Sequence, residues 1–206
     1  VVFRGGVQEG RNSGINSFAL WIGIGVLSWT FFSSGIMASM NALVNNSGLL
    51  TKVYFPRQVL IYSAVLSLAV DFAFELLVLV IIAMILGGPG VLAMIPALLV
   101  VTVLVGMFAV GLGLMLSIAT VYFRDLGHLW QIFNQMWMYA SGVVFPPTMV
   151  NKVQNDLFDK GWQVNGGPIP LTTILRLNPA ETYLEAFRSC LYDFALPSQP
   201  VFLACL

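Results

Sequence analysis

Charge is what this sequence has least of. Only 9% of its 206 residues are Asp, Glu, Lys or Arg, against about 25% in an ordinary soluble domain, while 58% are hydrophobic. Nine Lys and Arg balance nine Asp and Glu, so no basic field exists to hold nucleic acid. Cysteine is nearly absent. Cys190 and Cys205 are too few for a disulfide framework, and the single histidine, His128, has no cluster of metal ligands around it. No Gly-Lys dipeptide occurs, which excludes a phosphate-binding P-loop on this chain. The first residue is Val1 and both ends, VVF and VFLACL, are apolar fragments, read here as pieces of segments in a longer protein.

What is present is long apolar runs. A membrane helix needs about 20 mostly apolar residues to cross roughly 30 Å of hydrocarbon. Four stretches qualify: 18–44, 59–86, 91–123 and 129–150, of which only the second carries charge, Asp71 and Glu75. With the terminal fragments this predicts an all-α polytopic membrane protein with about six crossings in the parent protein, four of them complete here. Residues 1–206 form one membrane domain. GGPG at 87–90 predicts a tight turn between the second and third complete spans. Residues 151–195 hold nine charges together with several glycines and prolines, and make the one sizeable region that does not span. Within it NPAE at 178–181 predicts a helix start, with Asn178 as N-cap, Pro179 in the first helical position and Glu181 three residues on. Ala180, Leu184, Phe187 and Leu191 then share a face and Glu181, Glu185 and Arg188 lie elsewhere, the pattern of a short helix at a membrane interface.

The link NNSGLLTKVYFPRQ at 45–58 joins two greasy segments yet carries Lys52 and Arg57. Cations that snorkel to lipid headgroups are its plain reading. That reading leaves Leu49, Leu50, Val53, Tyr54 and Phe55 without a reason to face water, and an exposed apolar patch of this kind meets a partner protein. Pro56 would end a short helix just before the next span. Counting the cations of short links places this link inside the cell by three, Lys52, Arg57 and Arg124, against two, Arg4 and Arg11.

Asp71 and Glu75 sit near the middle of their span, where a charge costs on the order of 2.5–3.5 kcal/mol on insertion scales. Both are expected to avoid lipid. A spacing of four puts them on one face, where they either fix packing through hydroxyls, Asn41 or water, or belong to a transport path. Ala109, Gly113 and Ser117 recur every fourth residue and predict close helix packing. Trp29 and Phe32 lie deep enough to be candidates for stacking sugars along a path; aromatics nearer the span ends read as interfacial anchors.

WTFFSSGIMASMNALVNNSGLLTKVYFPR, then VYFRDL two spans later, then NPAETYLEAFR, resembles the membrane subunit of type-two ABC exporters, in the branch that exports lipid-linked polysaccharides such as O-antigen, capsule or teichoic acid. The resemblance implies a non-enzymatic permease of the bacterial cytoplasmic membrane, working as a homodimer with a separate ATPase that carries the ATP and Mg. It implies no cofactor or metal on this chain and no nucleic-acid partner, only the glycan and membrane lipid. Residues 46–57, with Leu49, Lys52, Val53, Tyr54, Phe55, Pro56 and Arg57, become a coupling helix. Phe123, Arg124 and Asp125 brace the same cytoplasmic face, though Arg124 and Asp125 also fit an ordinary surface pair worth about 0–1 kcal/mol. Trp29, Phe32, Asp71 and Glu75 become the translocation path, and Asn178, Pro179, Glu181 and Arg188 belong to a gate helix outside the cytoplasm. An exporter of drugs or lipids, or a proton-driven transporter relaying through Asp71 and Glu75, are the alternatives.

Overall fold

The structure is a computed structural model that describes residues 10, 12–45, 58–123, 125–144, 150, 154, 156, 163–164, 167–168, 178–197 and 201. Among the described residues, three helices are long and apolar enough to cross a membrane. They are α1 (Phe18–Asn45), α2 (Gln58–Gly87) and α3 (Ile95–Tyr122), the last preceded by a 3-10 turn at Pro89–Met94. In hydrocarbon every backbone group must be bonded within the segment, so Gly23, Gly25 and Gly35 are carried inside α1 without breaking it. The predicted turn between the second and third spans is present. Gly88 adopts φ 90, a conformation glycine enters without penalty, and its N–H closes the end of α2 on Met84 O at 3.0 Å.

The expected span at 129–150 takes a different form. The described helix α4 covers Leu126–Ala140, and its 15 residues rise roughly 22 Å, short of the roughly 30 Å a crossing needs. It stops because Ser141 tightens the last turn, donating its N–H to Met138 O, and Gly142 follows at φ 63. The turn at 141–143 is buried. In the 151–195 region, a two-residue antiparallel pair, β1 (Gln163–Val164) with β2 (Gly167–Pro168), precedes α5 (Pro179–Leu191).

α1 is the central rod, packed on α2, α3 and α5. Its contact with α3 is made by the small residues read from the sequence. Ala109, Gly113 and Ser117 are buried, and a Cβ at Gly113 would fall inside the side chain of Ser39, while one at Gly35 would stand 3.0 Å from Ala109 Cβ. Side chains that small let the two backbones meet, which is the main attraction left between helices when lipid is as apolar as leucine. Phe31 of α1 stacks on Phe72 of α2 at 4.3 Å between centroids and 6° between planes. The outer surfaces of α2 and α3 are the reverse of a soluble protein's: Leu66, Phe74, Ile85, Leu99, Val103, Met107 and Met115 are exposed. Such surfaces are stable against lipid, not water.

α5 corrects its sequence reading. Besides the apolar face, Thr182, Tyr183, Ala186, Arg188 and Cys190 are buried, so the helix is packed on more than one side, against α1, α3 and α2, where the sequence pattern shows one apolar face. Cys190 lies inside this packing, and burial pushes its thiol up to about 11, which leaves it an inert core residue.

Candidate functional site

The residues that carry chemistry converge where α5 meets the turn after α4 and the N-terminal half of α1. Asn178 caps α5 as expected, its Oδ1 accepting from Ala180 N at 3.1 Å. The same oxygen accepts from Trp137 Nε1 at 2.9 Å, and Nδ2 donates to Ser141 Oγ at 2.9 Å and to Ala140 O at 3.4 Å. One amide thus caps a helix and fastens its start to the end of α4. Pro179 occupies the first turn and Glu181 stands beside the buried Gly142, where a Cβ would lie 2.7 Å from Glu181 Oε2. At the other end, Asn12 Nδ2 donates to Phe194 O at 3.2 Å and Ser13 Oγ donates to Tyr192 O, so the segment before α1 holds the segment after α5.

Above the cap lies a continuous set of rings. Trp137 meets Phe32 edge-on at 5.3 Å and Trp29 edge-on at 6.0 Å; Phe32 stacks on Phe108 at 5.7 Å, and Tyr183 meets Phe108 at 5.7 Å. Further along α5, Phe187 meets Phe72 edge-on at 5.6 Å. Trp29 and Phe32 are therefore brought together, but buried, at 5% and 3% exposure, and they seal the space between α1, α4 and α5. Beside them is a void with room for no more than about one water, next to the buried, unpartnered Ser28 Oγ.

Arg188 was placed off the apolar face by sequence, and the structure buries it. Its guanidinium carbon stands 3.6 Å over the Trp21 ring, with Nη2 donating to Val143 O at 2.8 Å and Nη1 to Gly142 O at 3.3 Å. Burial lowers its pKa to about 10, against which the charges of Glu181 and Glu185 hold it up, so it remains a cation at neutral pH. The slot exists because residue 25 is glycine: a Cβ there would be 2.5 Å from Nη2. A glycine one turn after a tryptophan near the end of a span is the sequence signal for this slot, since it leaves a flat ring and an open wall for a planar cation.

The acids on α2 do not turn inward together. Asp71 is exposed on the outside of the helix and Glu75 is half-buried; among the described residues neither has a partner, so a bond to Asn41 is not made. Phe123 is exposed and ends α3 with its N–H on Ala119 O at 2.8 Å, and Asp125 opens α4 with no side-chain cap. Leu49, Lys52, Val53, Tyr54, Phe55, Pro56, Arg57 and Arg124 lie outside the described residues.

Two comparisons bear on these elements. The chain is 26% identical, over 191 residues, to an O-antigen export system permease protein of Myxococcus xanthus, a match covering 92% of this chain and 67% of that relative. Residues 2–155 match the ABC-2 type transporter family. That match takes in α1 to α4, three of them fit to span, and the chain is thus a multi-pass membrane protein that belongs to the ABC-2 type transporter family.

Proposed function

We propose that this chain is the permease subunit of an ATP-driven exporter that carries a lipid-linked cell-envelope polysaccharide out across the cytoplasmic membrane. The observation that supports it most is the extended similarity to an O-antigen export system permease protein, which runs through α5 and its cap. Two copies of the chain work with two copies of a separate ATPase, which binds ATP and Mg; this chain positions and conducts. Residues 46–57 are the point of contact, between the end of α1 at Asn45 and the start of α2 at Gln58. The 28 residues of α1 form a rod roughly 42 Å long, and its other half carries Trp21, Trp29 and Phe32, which hold α5 and α4 in the closed arrangement. A push at the link is delivered through that rod to the aromatic seal. Opening of the seal lets the glycan pass.

Deleting the gene in a polysaccharide-producing host and assaying the cell surface tests the reading. Lost surface glycan with intracellular accumulation, restored by this chain together with its ATPase, is the expected result; a surface indistinguishable from the parent strain overturns it. Tyr54→Ala with Phe55→Ala should reduce co-purification of the ATPase several-fold, and an unchanged yield would move the contact elsewhere on the chain.

A further inference from the structure

The contact between α1 and α4 leaves two complementary polar atoms over. Trp130 and Asn134 lie four residues apart on α4, one turn along the same face, with Cβ atoms at that spacing about 6 Å apart. Asn134 Nδ2 donates to Ser33 Oγ of α1. Asn134 Oδ1 and Trp130 Nε1 are both buried with no hydrogen-bond partner. Turning the amide over would only exchange which of its two polar atoms is left over. With the amide bonded to Ser33 through Nδ2, a donor and an acceptor one turn apart on α4 are thus both buried, each carrying the cost of lost solvation with nothing in return.

The surroundings define what would satisfy them. Phe133 stands 5.2 Å from Trp130 and 5.6 Å from Trp137, and Trp130 meets Trp137 edge-on at 6.2 Å, so the indole that carries the donor sits among rings. A hydroxyl donates and accepts at once and fits between an indole N–H and an amide oxygen, while the apolar face of a pyranose fits a flat ring. Access requires α4 to leave α1. Few contacts oppose that step: α4 buries no described residue fully, its C-terminal end is fastened through Trp137 and Ser141 to Asn178, and Asn134 donates to Ser33 of α1. The half of α4 carrying Trp130 and Asn134 is held to α1 through that Asn134 bond, which breaks when the seam opens.

We propose that Trp130 Nε1 and Asn134 Oδ1 form a hydroxyl-binding subsite, flanked by the rings of Phe133 and Trp137, that takes a sugar unit of the exported glycan when the seam between α1 and α4 opens. The proposal rests on the glycan-export reading and names residues that would grip the cargo. Trp130→Phe keeps a ring and removes the donor, and Asn134→Leu keeps the volume and removes the acceptor together with the bond to Ser33. In the full transporter with its ATPase, at equal membrane abundance, each should lower the rate of glycan appearance at the surface by roughly three- to ten-fold, the size of one lost hydrogen bond. A benzophenone amino acid in place of Phe133 should crosslink to glycan on irradiation, and the adduct should vanish in cells unable to make the glycan. Persistence of the adduct in such cells would identify a lipid headgroup in its place and overturn the proposal. Parental export by the well-folded Trp130→Phe variant would mean that the seam holds water only, and overturns it as well. Failure of the export reading shows separately, as unchanged surface glycan on deletion of the whole chain, and would remove the sugar from the subsite too.

Discussion

α2 and α5 are built the wrong way round by the standards of a soluble protein. α2 is apolar for nearly all of its length and leaves Leu66, Phe74 and Ile85 at 67%, 67% and 75% exposure, whereas α5 carries two glutamates and an arginine within 13 residues and buries Phe187 completely and Arg188 almost so. The solvent explains the inversion. Apolar side chains gain nothing by leaving lipid, so hydropathy marks α2 as a span without saying which side faces neighbours; polar groups gain everything by finding each other, so α5 with its cap, clamp and rings is drawn inside. Hydrophobicity tells where the membrane is, and polarity tells where the protein is.

Arg188→Ala should break the comparison most severely. It removes the cation over Trp21 and strands the carbonyls of Gly142 and Val143, which are buried, so we expect a loss of about 3 kcal/mol. Denaturant unfolding of the purified permease checks it; a loss below about 1 kcal/mol would show that the clamp is incidental. Arg188→Lys should recover only part, because an ammonium reaches one carbonyl without stacking on the indole. Gly113→Val is next. Its side chain would occupy the space of Ser39, forcing α1 from α3 at a cost of about 1–3 kcal/mol, whereas Gly111→Val, where nothing stands within 4 Å of a Cβ, should be far milder. Equal effects of the two would contradict the close packing of the helices. Asn178→Ala should follow at about 1–2 kcal/mol, since it removes an N-cap and the acceptor of Trp137 together, and loss of protection of the first α5 amides in hydrogen exchange would register it.

This inversion also decides what the sequence could tell. The three long spans were legible because length and apolarity suffice: 18–44, 59–86 and 91–123 were expected, and Phe18–Ala42, Val59–Gly87 and Pro89–Tyr122 are found. The cap at Asn178 was legible because capping is local, and the small residues on α3 because their spacing has one use in a membrane. Arg188 was not, since a charge at that position reads as solvated until Trp21, Gly25 and Gly142, far off in the chain, are seen around it. The end of α4 was missed because the apolar run continues past Ala140, and only the backbone of Gly142 shows that the helix has stopped. The outward direction of Asp71 was hidden for a related reason: a span that is apolar all round has no polar face from which to judge its rotation.

The outer surface of α2 supplies the smallest effect and the sharpest control. Leu66→Ala removes side-chain volume that stands exposed on α2, so no cavity forms within the chain and the change in stability of the isolated permease should stay within about 0.5 kcal/mol, while Leu184→Ala, the same substitution on α5, leaves a buried void and should cost about 2–5 kcal/mol. Asp71→Asn with Glu75→Gln extends the control to the polar members of that helix. Asp71 makes no bond to a described residue, so the pair should barely alter unfolding of the isolated permease, and any effect belongs to transport. Reduced glycan export at normal abundance would place these carboxyls on the translocation path between two copies; export at the parental rate would leave them as residues of a surface that some other segment or subunit covers.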